Sequence, residues 1–214
     1  GLVAQKPGDG MANTQMSTAS HTVGDCITQL LKAVSQLQPG VAECEAAVDK
    51  MAATISDLDQ ALLKVAVDDF DYKAPAGVTL QDAQEEMVGQ ARDLANAIQA
   101  IVNARTDAQQ LAPEVTTAAD TVVALGINAK NGAASTQNQK VSLDMLKLSK
   151  DLAASMQTLV HSAKESALAS QDAKKQQAVV QNSKNASQAI KNMLDALKST
   201  VVFYRDLDDA MSAV

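Results

Sequence analysis

Residues Val141–Ala167 read VSLDMLKLSKDLAASMQTLVHSAKESA, and the spacing of their apolar side chains decides the fold class. Those side chains recur at Val141, Met145, Leu148, Leu152, Met156, Leu159 and Ala163, with Val160 widening the stripe. Steps of three and four residues gather them on one side of an α-helix. The stretch holds neither Gly nor Pro, so no residue in it breaks the helix. Asp144, Lys147, Lys150 and Lys164 belong to the polar, solvated side. A helix of this kind is either one core element of a bundle or core in one state and a ligand for another protein in a second. Periodicity leaves both open.

The same period recurs on either side. Val115, Ala119, Val122 and Leu125 mark the preceding helix, with Pro113 in its first turn, where a missing N–H costs little. Gly126 weakens that helix, Asn131-Gly132 marks its fraying end, and Ser135 is placed to cap the Val141 helix. Leu80, Met87, Ala91, Leu94, Ile98, Ile101 and Ala108 mark another, opened by the capping-box-like run Thr79-Leu80-Gln81-Asp82. The cleanest stripe is Val41, Cys44, Val48, Met51, Ile55, Leu58, Leu62 and Val65, a heptad seam. Before it, Met16, Val23, Ile27, Leu30, Val34 and Leu37 mark a helix from about Thr14 to Leu37, after a loose lead-in over Gly1–Gly10. Gln38-Pro39-Gly40 separates these two, and Val67–Val78 is a loop. After the turn at Ser170-Gln171-Asp172, the last stripe runs through Val179, Ala186, Ile190, Met193, Leu197, Val201, Tyr204, Leu207 and Met211. Six helices, no strand and short connections predict an all-α, up-and-down helical bundle. Helices of ~25–40 residues are ~40–60 Å long at ~1.5 Å per residue, so the bundle is elongated.

Composition narrows the function. The 214 residues are 46% hydrophobic, yet the only aromatics are Phe70, Tyr72, Phe203 and Tyr204. A core built from Ala, Leu, Val, Ile and Met suits closely packed helices, and the lack of aromatics argues against stacking on single-stranded nucleic acid. The formal charge of −7 disfavours nucleic acid and anionic membrane surfaces as partners. No apolar run is long enough for membrane insertion. Cys26 and Cys44 read as small buried hydrophobes in a reducing compartment.

No catalytic constellation emerges. His21 and His161 have no Cys or carboxylate at metal-ligand spacing, and read as surface or boundary residues. Asp68, Asp69 and Asp71 lack the glycine and distal glutamate of a calcium loop. No phosphate-binding, dinucleotide or nucleophile-elbow motif occurs. The chain is expected to be a non-enzyme, without metal or cofactor.

Three segments carry a family resemblance: SHTVGDCITQLLKAV, then QLQPGVAECEAAVDKMAATISDLDQALLKV, then KDLAASMQTLVHSAKES. They resemble consecutive helices of the talin rod, with the ninth rod bundle and the helix before it the nearest match. The run Pro39, Gly40, Glu43, Cys44, Glu45, Ala47, Asp57, Leu58, Asp59, Gln60 and Ala61 is particularly similar to that bundle's start. The resemblance implies two parts: residues 1–38 hold the closing helix of a preceding bundle, and residues 39–214 form a five-helix bundle. It implies a cytoplasmic adaptor at cell adhesions, linking integrin tails to actin, with neighbouring rod bundles as partners. Its first implied function is autoinhibitory docking on the talin head. The family's acidic contact lies in a KxLAE segment, here Lys150-Asp151-Leu152-Ala153-Ala154; alanine stands for the acid, and Asp151 is the candidate head-docking residue. Lys174, Lys175, Lys184 and Lys191 make the last helix basic in its first half, a second departure. The alternative function is a force-exposed, cryptic vinculin-binding helix. The family pattern L-x-x-A-A-x-x-V-A-x-x-V-x-x-L-I-x-x-A is similar to Met145, Leu148, Ser149, Leu152, Ala153, Met156, Leu159, Val160 and Ala163. A passive force-bearing spacer is the third possibility.

Overall fold

The computed structural model describes the backbone of residues 10–36 and 40–212, and the side chains of residues 14–30 and 40–198. The described residues form six helices: α1 Gly10–Gln36, α2 Val41–Ala66, α3 Leu80–Ala104, α4 Ala108–Ala134, α5 Gln139–Leu168 and α6 Ala173–Ser212. No strand occurs among the described residues. The all-α, up-and-down bundle read from the sequence is the architecture observed. Of the expected lead-in over Gly1–Gly10, residues 1–9 lie outside the described residues, while Gly10 already belongs to α1, which starts four residues before the expected Thr14. Pro39 and the stripe positions Val34, Leu37, Val201, Tyr204, Leu207 and Met211 lie outside the described residues or side chains.

Contacts divide the chain into two units, Gly1–Pro39 and Gly40–Val214. Helix α1 is the described element of the first. Its apolar stripe, Met16, Val23, Ile27 and Leu30, is exposed, and so is Cys26, contrary to the buried thiol expected there. The spacing was right for an apolar face, but a single helix has no second surface within its own unit to bury that face.

The second unit packs α2 to α6 around one core. Helix α4 lies between α2 and α3, α5 lies against α2, α4 and α6, and α6 returns to α3. Because α4 separates α2 from α3, the chain must cross the end of the bundle between them, which is why residues 67–79 form the long connection. Two hydrogen bonds hold it to the end of α4: the Tyr72 hydroxyl donates to Asn131 Oδ1 at 3.0 Å, and Ser135 Oγ donates to the Val78 carbonyl at 3.2 Å. Among the described residues, ion pairs to α4 and α5 flank α2. Lys50 and Asp57 meet Asp120 and Lys130 of α4; Glu45 and Asp59 meet Lys164 and Lys150 of α5. Lys130 and Lys164 are largely enclosed, while the Lys50 and Lys150 pairs reach solvent and contribute at most ~1 kcal/mol each, so the apolar core carries most of the stability.

Several boundaries moved for identifiable reasons. Thr79 and Asp82 do form a capping box at the start of α3. That helix ends at Ala104, and Asp107 caps α4 by accepting from the N–H groups of Gln109 and Gln110. Pro113 is therefore inside α4 rather than in its first turn. Helix α4 runs on past Asn131-Gly132 to Ala134, Ser135 is its C-cap, and Asn138 caps α5 instead. At Gly40 the backbone has φ +89°, and a Cβ there would stand 1.9 Å from the Ala108 carbonyl oxygen. Only glycine allows both the left-handed turn and the close approach of α2 to the start of α4.

Candidate functional site

Helix α5 is enclosed on three sides, by α2, α4 and α6. Asn138 starts it by accepting from the Val141 N–H. The Gln139 and Gln157 side chains tie it to α2, donating to the carbonyls of Val65 at 2.8 Å and Val48 at 3.3 Å. Lys150 and Lys164 bridge to Asp59 and Glu45, the second at 3.6 Å. Lys175 at the start of α6 reaches Glu165 at 3.1 Å.

The candidate residues fall into two groups. Met145, Leu152, Met156, Leu159, Val160 and Ala163 are buried together in the core, while Leu148 is only half-buried and packs at its margin. Asp151 is exposed on the other side of the helix, as is Lys147; Ala154, in place of the family's acid, is half-buried. So the structure assembles one set of apolar residues inside and leaves one carboxylate outside.

The buried track is also wider than the sequence stripe. It runs Ser142, Met145, Leu146, Ser149, Leu152, Ala153, Met156, Leu159, Val160, Ala163 and Ser166. Periodicity passed over Leu146 and Ala153, because a one-sided stripe describes a helix with one neighbour. It also passed over the serines, which carry no apolar signal. A helix covered on three sides buries far more than a ~100° stripe. Six large side chains, Met145, Leu146, Leu152, Met156, Leu159 and Val160, are almost wholly enclosed. At ~1.5–3 kcal/mol for each, their burial is comparable with the ~5–15 kcal/mol total stability of a domain. Release of α5 is therefore equivalent to opening the bundle, not to local fraying.

Elsewhere the chemistry is sparse. No group of three or more His, Cys, Asp or Glu side chains is placed to hold a metal among the described residues. His21 and His161 are exposed on their helices. Cys44 is buried in the core, and burial pushes its thiol up to about 11, with the Lys164 charge offsetting only part of that. Among the described residues no helix is long and apolar enough to cross a membrane.

Comparison with known proteins follows the same outline. A family model described as "Talin 1-like, rod segment domain" matches residues 40–202, which is most of the five-helix unit. Talin-B of Dictyostelium discoideum is 29% identical over 207 residues, covering 96% of this chain and 8% of that protein. Talin of Oscarella pearsei is 30% identical over 165 residues, covering 77% of this chain and 6% of its own length. Talin-1 of Gallus gallus is 26% identical over 164 residues, 76% of this chain and 6% of that protein. The chain thus spans less than a tenth of the length of these relatives.

Proposed function

The chain belongs to the talin family as a segment of the rod, and from that premise we propose that it is a structural module of a cytoskeletal adaptor linking integrin adhesions to actin, with α5 as a conditionally exposed ligand for the vinculin head. One observation carries the second half. The residues of α5 that fit the helix pattern for vinculin are, apart from the half-buried Leu148, the residues enclosed in the core. A partner groove that recognises Leu152, Met156, Leu159 and Val160 competes directly with α2, α4 and α6. Binding in the intact unit is then weakened by the free energy of opening. In this reading α1 is the closing helix of a preceding rod bundle, which supplies the cover its apolar stripe lacks, and the module works at adhesions on the cytoplasmic side without catalysing a reaction.

Calorimetric titration of vinculin head into the peptide 141–167 and into the whole chain tests this. The peptide is expected to bind at least ~100-fold more tightly than the chain, which corresponds to only ~3 kcal/mol of an opening cost that the core makes larger. Leu152→Ala lowers the stability of the unit by ~2–5 kcal/mol and also weakens the peptide. Lys147→Ala, on the exposed side, changes both by less than ~0.5 kcal/mol. A peptide that binds no better than the folded chain overturns the reading.

A second reading rests on Asp151. Its carboxylate is exposed on a helix otherwise locked in the core, so it is presented without any opening. This favours docking of the folded module on a basic surface of the talin head, as an autoinhibitory contact. Labelled head lobe titrated with the chain should show chemical-shift changes at low salt that shrink at ~0.5 M salt and are reduced by Asp151→Asn. The absence of any change at low salt removes this reading and leaves the first untouched.

A further inference from the structure

We propose that Ser149 and Ser166 set how readily the bundle releases α5. This rests on the reading of α5 as a conditionally exposed ligand and adds what controls its exposure. Both side chains have 0% exposure, and neither hydroxyl has a hydrogen-bond partner. Their neighbours on the same helix show what a helical hydroxyl ordinarily does. Ser155 donates to the Asp151 carbonyl at 2.8 Å, Thr158 to that of Ala154 at 2.9 Å, and Ser162 to that of Leu159 at 2.8 Å. The third buried serine, Ser142, donates to the Ala133 carbonyl at 3.0 Å. Among the described residues, only Ser149 and Ser166 combine 0% exposure with no partner. The other unpartnered buried atoms among the described residues, on Gln84, Gln90 and Arg105, belong to longer side chains next to solvent: Gln84 lines an open groove between α3 and α6, and Gln90 and Arg105 are half-buried.

The consequence is directional. A hydroxyl taken from water into an apolar core without a partner raises the free energy of the closed state only. When α5 leaves, both groups regain hydrogen bonds to water, so their presence shifts the equilibrium toward the released helix. They lie 17 residues apart, Ser149 a third of the way along α5 and Ser166 in its last turn, and so loosen its packing at two separate levels of the core. Ser166 also lies beyond the Met145–Ala163 ligand stretch, so it acts on release without touching the partner.

The test uses the whole chain with Ser149→Ala, Ser166→Ala and, as control, Ser155→Ala, whose hydroxyl is bonded outside the core. Hydrogen exchange of the α5 amides reports the opening equilibrium. Ser149→Ala and Ser166→Ala are expected to slow it by ~5–150-fold each. The control slows it by less than ~3-fold, the gain in helix propensity alone. Capture of vinculin head by the intact Ser166→Ala chain weakens in step with its exchange, while the peptide 141–167 bearing the same change binds as the native peptide does. Exchange slowed no more than in the control overturns the proposal, whatever vinculin does. Exchange slowed as expected, with no vinculin binding by peptide or chain, upholds the release device and removes the vinculin reading. Peptide binding with unchanged exchange does the reverse.

Discussion

At the scale of single residues, identical letters in the sequence have opposite meanings in the fold. Gly132 and Gly89 are both helical glycines, and each reads as a weak point of ~1 kcal/mol relative to alanine. In the structure a Cβ on Gly132 would stand 2.2 Å from the Met145 methyl carbon and 3.3 Å from Ala83 Cβ, because α4 approaches α3 and α5 closely there. A Cβ on Gly89 would meet nothing within 4 Å. Gly132→Ala is therefore expected to destabilise by ~1–3 kcal/mol through overpacking, and Gly89→Ala to stabilise by ~0.5–1 kcal/mol. Denaturant melts of the two variants give the two signs directly, and equal signs would refute the close-approach argument. Leu148 and Ser149 teach the same lesson on α5: the apolar residue is half out, and its polar neighbour is wholly in.

At the scale of elements, helix existence was legible and helix starts were legible only where one capping residue had no rival. Thr79 faced no competitor, and its box with Asp82 is formed as read: the Thr79 N–H and hydroxyl donate to Asp82 Oδ2 at 2.9 and 2.7 Å, and the Asp82 N–H donates to Thr79 Oγ1 at 3.1 Å. Between α4 and α5, Ser135 and Asn138 are both competent caps, and the geometry of the turn chose Asn138. The Asp82 carboxyl is held below the ordinary carboxylate value, first by the Thr79 hydroxyl and then by the Thr79 N–H. A depressed carboxylate stabilises the folded state above its unfolded value of 3.8 and loses that contribution as pH falls through its lower folded value. Thr79→Ala should cost ~0.5–2 kcal/mol at neutral pH. It should also flatten the part of the acid-stability curve below about pH 4 that Asp82 contributes. Denaturant midpoints across pH 2–7 check both, and an unchanged acid limb would show that the box does not act through Asp82.

At the scale of the molecule, the two thiols report the two units separately. Cys26 is exposed, and Cys44 is enclosed among core side chains with its thiol raised to about 11. With alkylating reagent at pH 8, Cys26 should react at the rate of a free thiol. Cys44 should react only through opening, slower by a factor of ~10³ or more for a domain of ordinary stability. Labelling followed by peptide mass mapping separates the two. Comparable rates would mean that the five-helix core is not a stably closed unit. The raised thiol also sets a direction at high pH: the unfolded chain loses this proton near 9.0, so the contribution of Cys44 to stability falls as pH rises from about 9 to about 11.

Helix number, the polar sides of the helices and the break before α2 all follow from the order of residues. They depend on interactions between positions three or four apart and on local turn chemistry, which a linear reading contains. The stripe at Met145, Leu152, Met156 and Leu159 was therefore found from the sequence. Which helices are neighbours is a different matter. That α4 separates α2 from α3, that α5 is covered on three sides, and that Ser149 and Ser166 are shut in without partners all depend on contacts between residues far apart in the chain. An apolar face states that it must be buried but not against what, and a serine carries no mark of the environment it will meet. Only the packed bundle decides both, because only there does each side chain exchange water for a particular set of neighbours.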